Sequence, residues 1–204
     1  MRKTLVIPIL VSVFLISSPV AWAGEKTSEK TPEKTLMPQI DRIIDMLQKM
    51  DPEKRNQLKY NDVDRILESA FDFRTFSMLS LGANWRRFSE KQKTDFTDLF
   101  SRLVIQLYLE RIKGEDVQNV QAVYSKTDRV ESGSERADVH TVVHHNQTKT
   151  PVVYRMILTA GEWKVYDVLI EGVSMVGNYR EQYRKKMFDS PESMINEIRE
   201  KLKQ

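Results

Sequence analysis

The residue with the clearest potential for chemistry in this sequence is Asp167, a carboxylate within an apolar strand pattern. Alternation along the run WKVYDVLIEG places Asp167 on the same face as Trp163, Val165 and Leu169. A carboxylate on such a face could act as a general base toward a bound substrate. It could instead accept hydrogen bonds from Tyr154 or from a helix N-terminus. No second acid or oxyanion donor occurs at a suitable spacing, so the structural role is favoured.

Three histidines, His140, His144 and His145, are the residues best suited to bind a metal ion. On a helix, His140 and His144 would share one face as ligands of a single ion. The alternation around them predicts a strand instead, in which four residues span roughly 13 Å. That separation is too large for two ligands of one ion, and the sequence has no cysteine to add a thiolate. We therefore expect no metal and no other cofactor.

The segment Gly172–Gly177 reads GVSMVG and is one residue too long for the nucleophile elbow GxSxG. Glycine-rich phosphate-binding motifs of the GxGxxG and P-loop types are also missing from the sequence. A structural interpretation fits better. Gly172 ends a strand, and Ser174 caps a helix that carries Val176 and Tyr179 on one stripe.

Amphipathic helices are predicted through the first half of the chain and at its end. Apolar residues at helical spacing predict a helix over 36–50, a second element over 52–70, and short helices with a tight turn at Gly82 over 71–88. The clearest helix covers Ser89–Arg111, where Ser89 and Gln92 form a capping-box pattern. A last helix is predicted from Ser190 to residue 202, with proline at its first position.

Strands are predicted between these helices. Alternating runs over 117–124 and 136–144 predict two strands joined by a turn around 132–134. The apolar runs that begin at Val152 and Trp163 predict a β-hairpin with a four-residue loop. The predicted cross-strand pairs are Leu158–Trp163, Met156–Val165, Tyr154–Asp167 and Val152–Leu169.

The order of elements predicts an α+β fold. We expect a curved antiparallel sheet of about four strands wrapped by amphipathic helices, cone-like and with an internal apolar pocket. The residues predicted to line this pocket are Phe100, Val104, Tyr108, Tyr154, Met156, Val165 and Leu169. The same residues could instead pack against one another in a filled core, and the sequence pattern does not separate these alternatives.

The N-terminus has the pattern of an export signal. Arg2 and Lys3 precede an apolar run, and the small-residue motif Ala21-Trp22-Ala23 follows it. We expect a signal peptide over 1–23 that is cleaved after Ala23, which implies a periplasmic protein. The polar, low-complexity segment 24–35 is predicted to be a disordered leader, and 36–204 a single domain.

Charge and cysteine content limit the classes of partner. Loss of Arg2 and Lys3 with the signal peptide lowers the net charge from +3 to +1, so charge gives no reason to expect nucleic acid. The basic segment 180–186 could contact anionic lipid or protein, or could simply be a solvated helix face. The absence of cysteine excludes a disulfide framework and a thiol nucleophile.

Two long segments carry a family resemblance. The block FDFRTFSMLSLGANWRRFSEKQKTDFTDLF, and later WKVYDVLIEGVSMVGNYREQYRKKM, resemble the toluene-tolerance protein family, whose best-known members are MlaC-type periplasmic phospholipid carriers. The resemblance covers about residues 36 to 200. Its most specific parts are Leu81-Gly82 with Trp85, and Trp163 through Ser174 with Tyr179 and Arg180.

This resemblance implies a twisted sheet wrapped by helices, with phospholipid acyl chains buried between them. It implies shuttling of phospholipid between an outer-membrane lipoprotein–porin complex and an inner-membrane ABC transporter that carries an MCE-domain protein. It implies no catalytic residues. A hopanoid-linked relative shares the same domain, so the resemblance leaves the class of lipid open.

Overall fold

The computed structural model describes residues 30–129, 135–185 and 190–203. Its helices are α1 (Pro32–Lys49), α2 (Pro52–Arg55), α3 (Tyr60–Ala70), α4 (Phe73–Leu81), a 3-10 helix (Gly82–Arg87), α5 (Glu90–Ile112), α6 (Met175–Lys185) and α7 (Pro191–Leu202). Its strands are β1 (Gln121–Arg129), β2 (Arg136–His145), β3 (Thr148–Thr159), β4 (Glu162–Ile170) and β5 (Val173–Ser174). The α+β class is confirmed.

The five strands form one antiparallel sheet in the order β1-β2-β3-β4-β5. Four strands are long, as predicted, and β5 adds a short pair of residues at the edge. β1 begins at Gln121, four residues later than the predicted start at 117. The turn predicted around 132–134 lies outside the described residues. No helix in the described ranges is both long enough and apolar enough to span a bilayer.

A β-bulge in β4 changes the second half of the predicted hairpin register. Two predicted pairs are observed, Leu158–Trp163 and Met156–Val165. Tyr166 is then an extra residue in β4, and the pairing beyond it is shifted by one residue. The two remaining predicted pairs are therefore wrong, because Tyr154 faces Val168 and Val152 faces Ile170. The extra residue also reverses the alternation of the residues that follow it in β4. Val168 and Ile170 therefore lie on the apolar face, where the sequence pattern predicted Leu169.

Local signals define the helix termini well. Ser89 and Gln92 form the predicted capping box of α5, and Ser190 caps α7 with Pro191 at its first position. Helix α1 begins at Pro32, four residues before the predicted start at 36. The prediction of a disordered leader is therefore wrong for residues 32–35, because proline at the first helical position favours an earlier start. Residues 24–29, like the predicted signal peptide, lie outside the described residues.

Three hydrophobic clusters stabilise the fold. The helical cluster joins α4, the 3-10 helix, α5, α6 and α7, and its centre includes Phe76, Phe96 and Phe100. The sheet cluster packs α1 against β2, β3 and β4. The third cluster joins α1 to α3 and α5 through Leu47, Val63 and the C-terminal half of α5. Helices thus cover one face of the sheet, and the space between helices and sheet contains the candidate site.

Candidate functional site

An apolar cavity of about 280 Å³ lies between the helices and the sheet. It is lined by side chains from α1, α3, α4, α5, β3 and β4, together with Phe71 between α3 and α4 and Met175 at the start of α6. Every lining residue is aliphatic, aromatic or methionine, and the only side-chain polar atoms among them are the hydroxyls of Tyr108 and Tyr154. Such a lining can enclose an apolar chain but gives a charged group no partner.

Helical periodicity explains the helix side of the cavity. Within α5, Val104, Tyr108 and Ile112 follow one another at intervals of four residues and lie on one stripe. Ile105 and Leu109 lie next to this stripe on the helix surface and widen it. Helix α1 contributes a second wall with Ile43, Met46 and Leu47, and α3 contributes Val63 and Leu67.

The bulge in β4 determines the sheet side of the cavity. β3 contributes Val152 and Tyr154, which alternate normally. β4 contributes Val168 and Ile170, which reach the cavity because Tyr166 has shifted the alternation by one residue. If Tyr166 instead took an ordinary paired position in a regular strand, Leu169 would face the cavity.

Three of the seven predicted pocket residues line the cavity, Val104, Tyr108 and Tyr154. The other four predicted residues, Phe100, Met156, Val165 and Leu169, do not line this cavity. Phe100 is fully buried among the rings of the helical cluster, where the ring centroid of Phe96 lies 5.1 Å away. Met156 and Val165 are fully buried in the sheet cluster, in which α1 packs on the sheet. Leu169 is excluded by the bulge.

The residues of α1 and α3 that line the cavity were not predicted as site residues. Their apolar stripes are visible in the sequence, but a stripe shows only that a helix has a buried face. Long-range contacts, such as those of α1 and α3 with β4, determine which helices lie over the part of the sheet that faces the cavity. Sequence periodicity carries no signal for that choice.

The two tyrosines are the polar features of the cavity wall. Burial raises the pKa of the Tyr154 hydroxyl to about 12. Burial also raises the pKa of Tyr108, and the Arg111 guanidinium, which lies 5.2 Å from the centroid of the Tyr108 ring, opposes that shift. Both hydroxyls are therefore neutral at physiological pH. The described wall offers hydrogen-bonding groups but no formal charge.

Asp167 lies outside this wall and joins β4 to α6. It is 2% exposed. Its Oδ1 accepts a hydrogen bond from the Val176 backbone N–H at 3.0 Å, and its Oδ2 accepts one from the Ser174 hydroxyl at 2.7 Å. The Arg155 guanidinium lies 3.4 Å from Oδ2. Of the two hydrogen-bond partners suggested by the sequence, the helix N-terminus is observed, whereas the Tyr154 side chain is not the partner.

The histidines are spread along β2. His140 Nε2 lies 3.1 Å from a carboxylate oxygen of Asp128 on β1. His145 is at the far end of the strand, against the backbone carbonyl of Asp116. Within the described ranges, no three His, Cys, Asp or Glu side chains are grouped so that they could hold a metal ion.

Comparisons with known proteins agree with this architecture. A family model described as MlaC protein matches residues 38–203. Among solved structures, a phospholipid-binding protein from Ralstonia solanacearum, in complex with a phospholipid, has a similar fold with a TM-score of 0.73. Its sequence is 21% identical, and the alignment covers 83% of this chain and 96% of that chain. A comparison with curated proteins finds no match.

Proposed function

This chain belongs to the MlaC family, and on that premise we propose that it is a phospholipid carrier whose cavity encloses acyl chains. The observation that carries the proposal is the composition of the cavity wall. A wall without a formal charge suits a hydrocarbon chain better than a polar metabolite. The Ralstonia protein of similar fold is described as phospholipid-binding, which supports the same class of ligand.

Transfer of the acyl chain from water into the cavity supplies the free energy of binding. Each methylene group removed from water contributes roughly 0.8 kcal/mol, so a chain of about sixteen carbons gains on the order of 12 kcal/mol on burial. A protein that carries lipid between two membranes must supply that environment along the whole route. Aliphatic and aromatic side chains from α1, α3, α4, α5, β3 and β4 meet this requirement, with Val104 and Val168 on opposite walls.

The route that we propose follows from the family and from the N-terminal sequence. The chain would be exported by the signal peptide over 1–23 and act in the periplasm. There it would exchange phospholipid between an outer-membrane lipoprotein–porin complex and an inner-membrane ABC transporter that carries an MCE-domain protein. This exchange would maintain the lipid asymmetry of the outer membrane. Glycerophospholipid is the proposed cargo, with a hopanoid-type lipid as the alternative.

We propose no catalytic role for Asp167. Both carboxylate oxygens are engaged by donors of the chain itself, Ser174 and the Val176 N–H, and Arg155 lies beside Oδ2. A general base would need a free oxygen directed at a substrate. The hydrogen bonds of Asp167 instead support a structural role at the N-terminus of α6.

The first prediction is that protein isolated from a Gram-negative periplasm contains bound lipid. Denaturing mass spectrometry of the purified protein should detect about one phospholipid per chain, and its mass identifies the class. Val104→Arg should abolish the bound lipid, because a guanidinium would lie where the acyl chain is enclosed. Val123→Arg is the matched control, since Val123 lies on β1 and is 47% exposed.

The two variants make the result specific to the cavity. Val123→Arg should carry as much lipid as the parent protein, and circular dichroism should show that both variants are folded. A lipid-free parent that also takes up no lipid from vesicles would contradict the carrier function. Equal lipid in the parent and in folded Val104→Arg would instead exclude this cavity as the binding site.

A further inference from the structure

A second depression lies on the other side of α5, between α5, α6 and α7. Its volume is about 500 Å³. Polar side chains line much of it, including Gln106, Gln182 and Glu197, and Tyr179 stands on its α6 side. The two concavities therefore differ in character, since the first is lined by apolar side chains and two tyrosines, whereas the second combines leucine and tyrosine side chains with two amides, two carboxylates and an ammonium group.

Tyr108, Arg111 and Tyr179 stand at the boundary between the two. On α5, Tyr108 lines the apolar cavity, whereas Leu107 and Glu110 line the polar depression. Because successive residues of a helix are rotated by 100°, Arg111 lies between the face of α5 that carries Tyr108 and the face that carries Leu107 and Glu110. Its guanidinium lies 5.2 Å from the centroid of the Tyr108 ring. The ring of Tyr179 is held edge-on against Phe100, with 4.9 Å between the centroids.

The hydrogen-bonding capacity at this boundary is unused within the described part of the chain. Neither the Tyr108 nor the Tyr179 hydroxyl has a hydrogen bond to another described residue, and both side chains are partly exposed. The pKa of each is raised, mainly by burial, so both remain protonated at neutral pH. Two phenol donors and one guanidinium are thus present in a small area.

The charges around this boundary leave Arg111 as the cation in excess. Glu110 forms an ion pair with Lys113, and Glu197 forms one with Lys201. Arg111 is exposed and forms no ion pair with any residue in the ranges described. The carbonyl groups at the C-terminal end of α5 are unfavourable for an anion. Any anion bound here would therefore depend strongly on Arg111.

We infer that Arg111, with the hydroxyls of Tyr108 and Tyr179, binds the phosphate of a lipid whose acyl chains occupy the apolar cavity. The remainder of the headgroup then lies in the polar depression. Guanidinium and phenol groups are both suitable donors to a phosphodiester oxygen. The inference rests on the proposed carrier function and adds to it a specific headgroup contact.

The test compares two ligands that differ only in the phosphate-containing headgroup. Delipidated protein is titrated by calorimetry with short-chain phosphatidylglycerol or with diacylglycerol of the same acyl chains, each below its micelle concentration. Arg111→Gln should weaken phosphatidylglycerol binding about tenfold and leave diacylglycerol binding unchanged. Tyr179→Phe should weaken phosphatidylglycerol binding about threefold, again without an effect on diacylglycerol.

Arg86→Gln is the matched control, because Arg86 is exposed in the 3-10 helix that precedes the opposite end of α5. It should change neither affinity. Equal weakening of both ligands by Arg111→Gln would assign Arg111 a packing role against Tyr108 and overturn the inference. Unchanged phosphatidylglycerol binding would overturn it too.

Inorganic phosphate distinguishes a lipid headgroup from a free anion. We expect phosphate alone to bind no more tightly than the millimolar range, because the acyl chains supply most of the affinity. Tight binding of phosphate to the parent, lost in Arg111→Gln, would make this a small-anion site and overturn the inference. If the parent binds neither lipid, the carrier function itself fails, a result distinct from a failure of the headgroup contact alone.

Discussion

At the residue scale, Asp167 determines how α6 leaves the sheet. The carboxylate accepts a hydrogen bond from the first turn of α6 and another from the Ser174 hydroxyl, which in turn accepts one from the Gly177 N–H at 2.8 Å. These bonds satisfy N–H groups that have no partner within the helix. A negative charge at this helix end also interacts favourably with the helix dipole. Asp167 therefore stabilises the corner between β4 and α6.

A second prediction concerns this corner. Asp167→Asn should lower the free energy of unfolding by about 1.5–3 kcal/mol, since charge-assisted hydrogen bonds are replaced by weaker ones. The melting temperature should fall by about 5–10 °C, as expected for a chain of this size. Lipid loading should be retained, because Asp167 does not line the cavity. Differential scanning calorimetry and mass spectrometry measure the two effects.

Asp138→Asn is the control for this experiment, because Asp138 also lies beside Arg155, at 3.8 Å, but is partly exposed. It should cost no more than about 1 kcal/mol. An Asp167→Asn protein that is as stable as the parent and carries no lipid would contradict the structural role. That outcome would instead support a catalytic role for the Asp167 carboxylate.

At the element scale, the bulge in β4 sets the face that the strand presents to the helices. Before the bulge, Val165 packs in the sheet cluster under α1. After it, Val168 and Ile170 line the cavity. A regular strand could not place residues 165 and 168 on the same face, because their separation is odd. The bulge therefore lets one strand contribute first to a packed core and then to a cavity wall.

A third prediction follows for Tyr166, the extra residue. Deletion of Tyr166 should remove the bulge and keep Val165, Val168 and Ile170 on one face, because the pairs Met156–Val165 and Tyr154–Val168 need no extra residue between them. The free energy of unfolding should therefore fall by no more than roughly 1–2 kcal/mol, and lipid binding should be retained. Urea denaturation followed by circular dichroism measures the first effect, and mass spectrometry the second.

Tyr166→Thr is the matched control, because it keeps the chain length and places another residue of high strand propensity at this position. It should cost about 1 kcal/mol and keep the lipid. The interpretation would be wrong if the deletion variant lost its lipid while Tyr166→Thr kept it, since Tyr166 would then not be the extra residue of the bulge.

At the scale of the whole molecule, the cavity lies where the three hydrophobic clusters meet. Phe76 and Val104 belong to the helical cluster, Val152 to the sheet cluster, and Leu47 to the cluster of α1, α3 and α5, and all four line the cavity. A ligand in this position contacts all parts of the core at once. Its binding is therefore coupled to the stability of the complete fold.

The last prediction uses this coupling. Lipid-loaded protein should melt about 5–10 °C above delipidated protein, since a ligand at a hundred times its dissociation constant adds about 2.7 kcal/mol to the free energy of unfolding. Calorimetry of the two forms in the same buffer provides the measurement, with the Val104→Arg variant as a form that gains nothing from lipid. Equal melting temperatures for the loaded and delipidated parent would show that the folded protein does not bind the lipid in preference to the unfolded chain, and would contradict the cavity as its site.

The sequence by itself determined those features that depend on neighbouring residues. Ser89 with Gln92, and Ser190 with Pro191, correctly located the starts of α5 and α7, because a cap is formed by residues within one helical turn. Alternation located β2 to within one residue at its end. The α+β class followed from the order of such elements, and the family from the two segments that carry its motifs.

Only the tertiary structure decided which apolar residues surround a cavity and which fill the core. Phe100 and Val104 lie on the same helix, one turn apart, yet Phe100 is enclosed by aromatic rings and Val104 faces the cavity. The difference arises from the elements packed against each residue, which come from distant parts of the chain. The bulge at Tyr166 is likewise a property of strand pairing, and a pattern read along one strand contains no information about its partner.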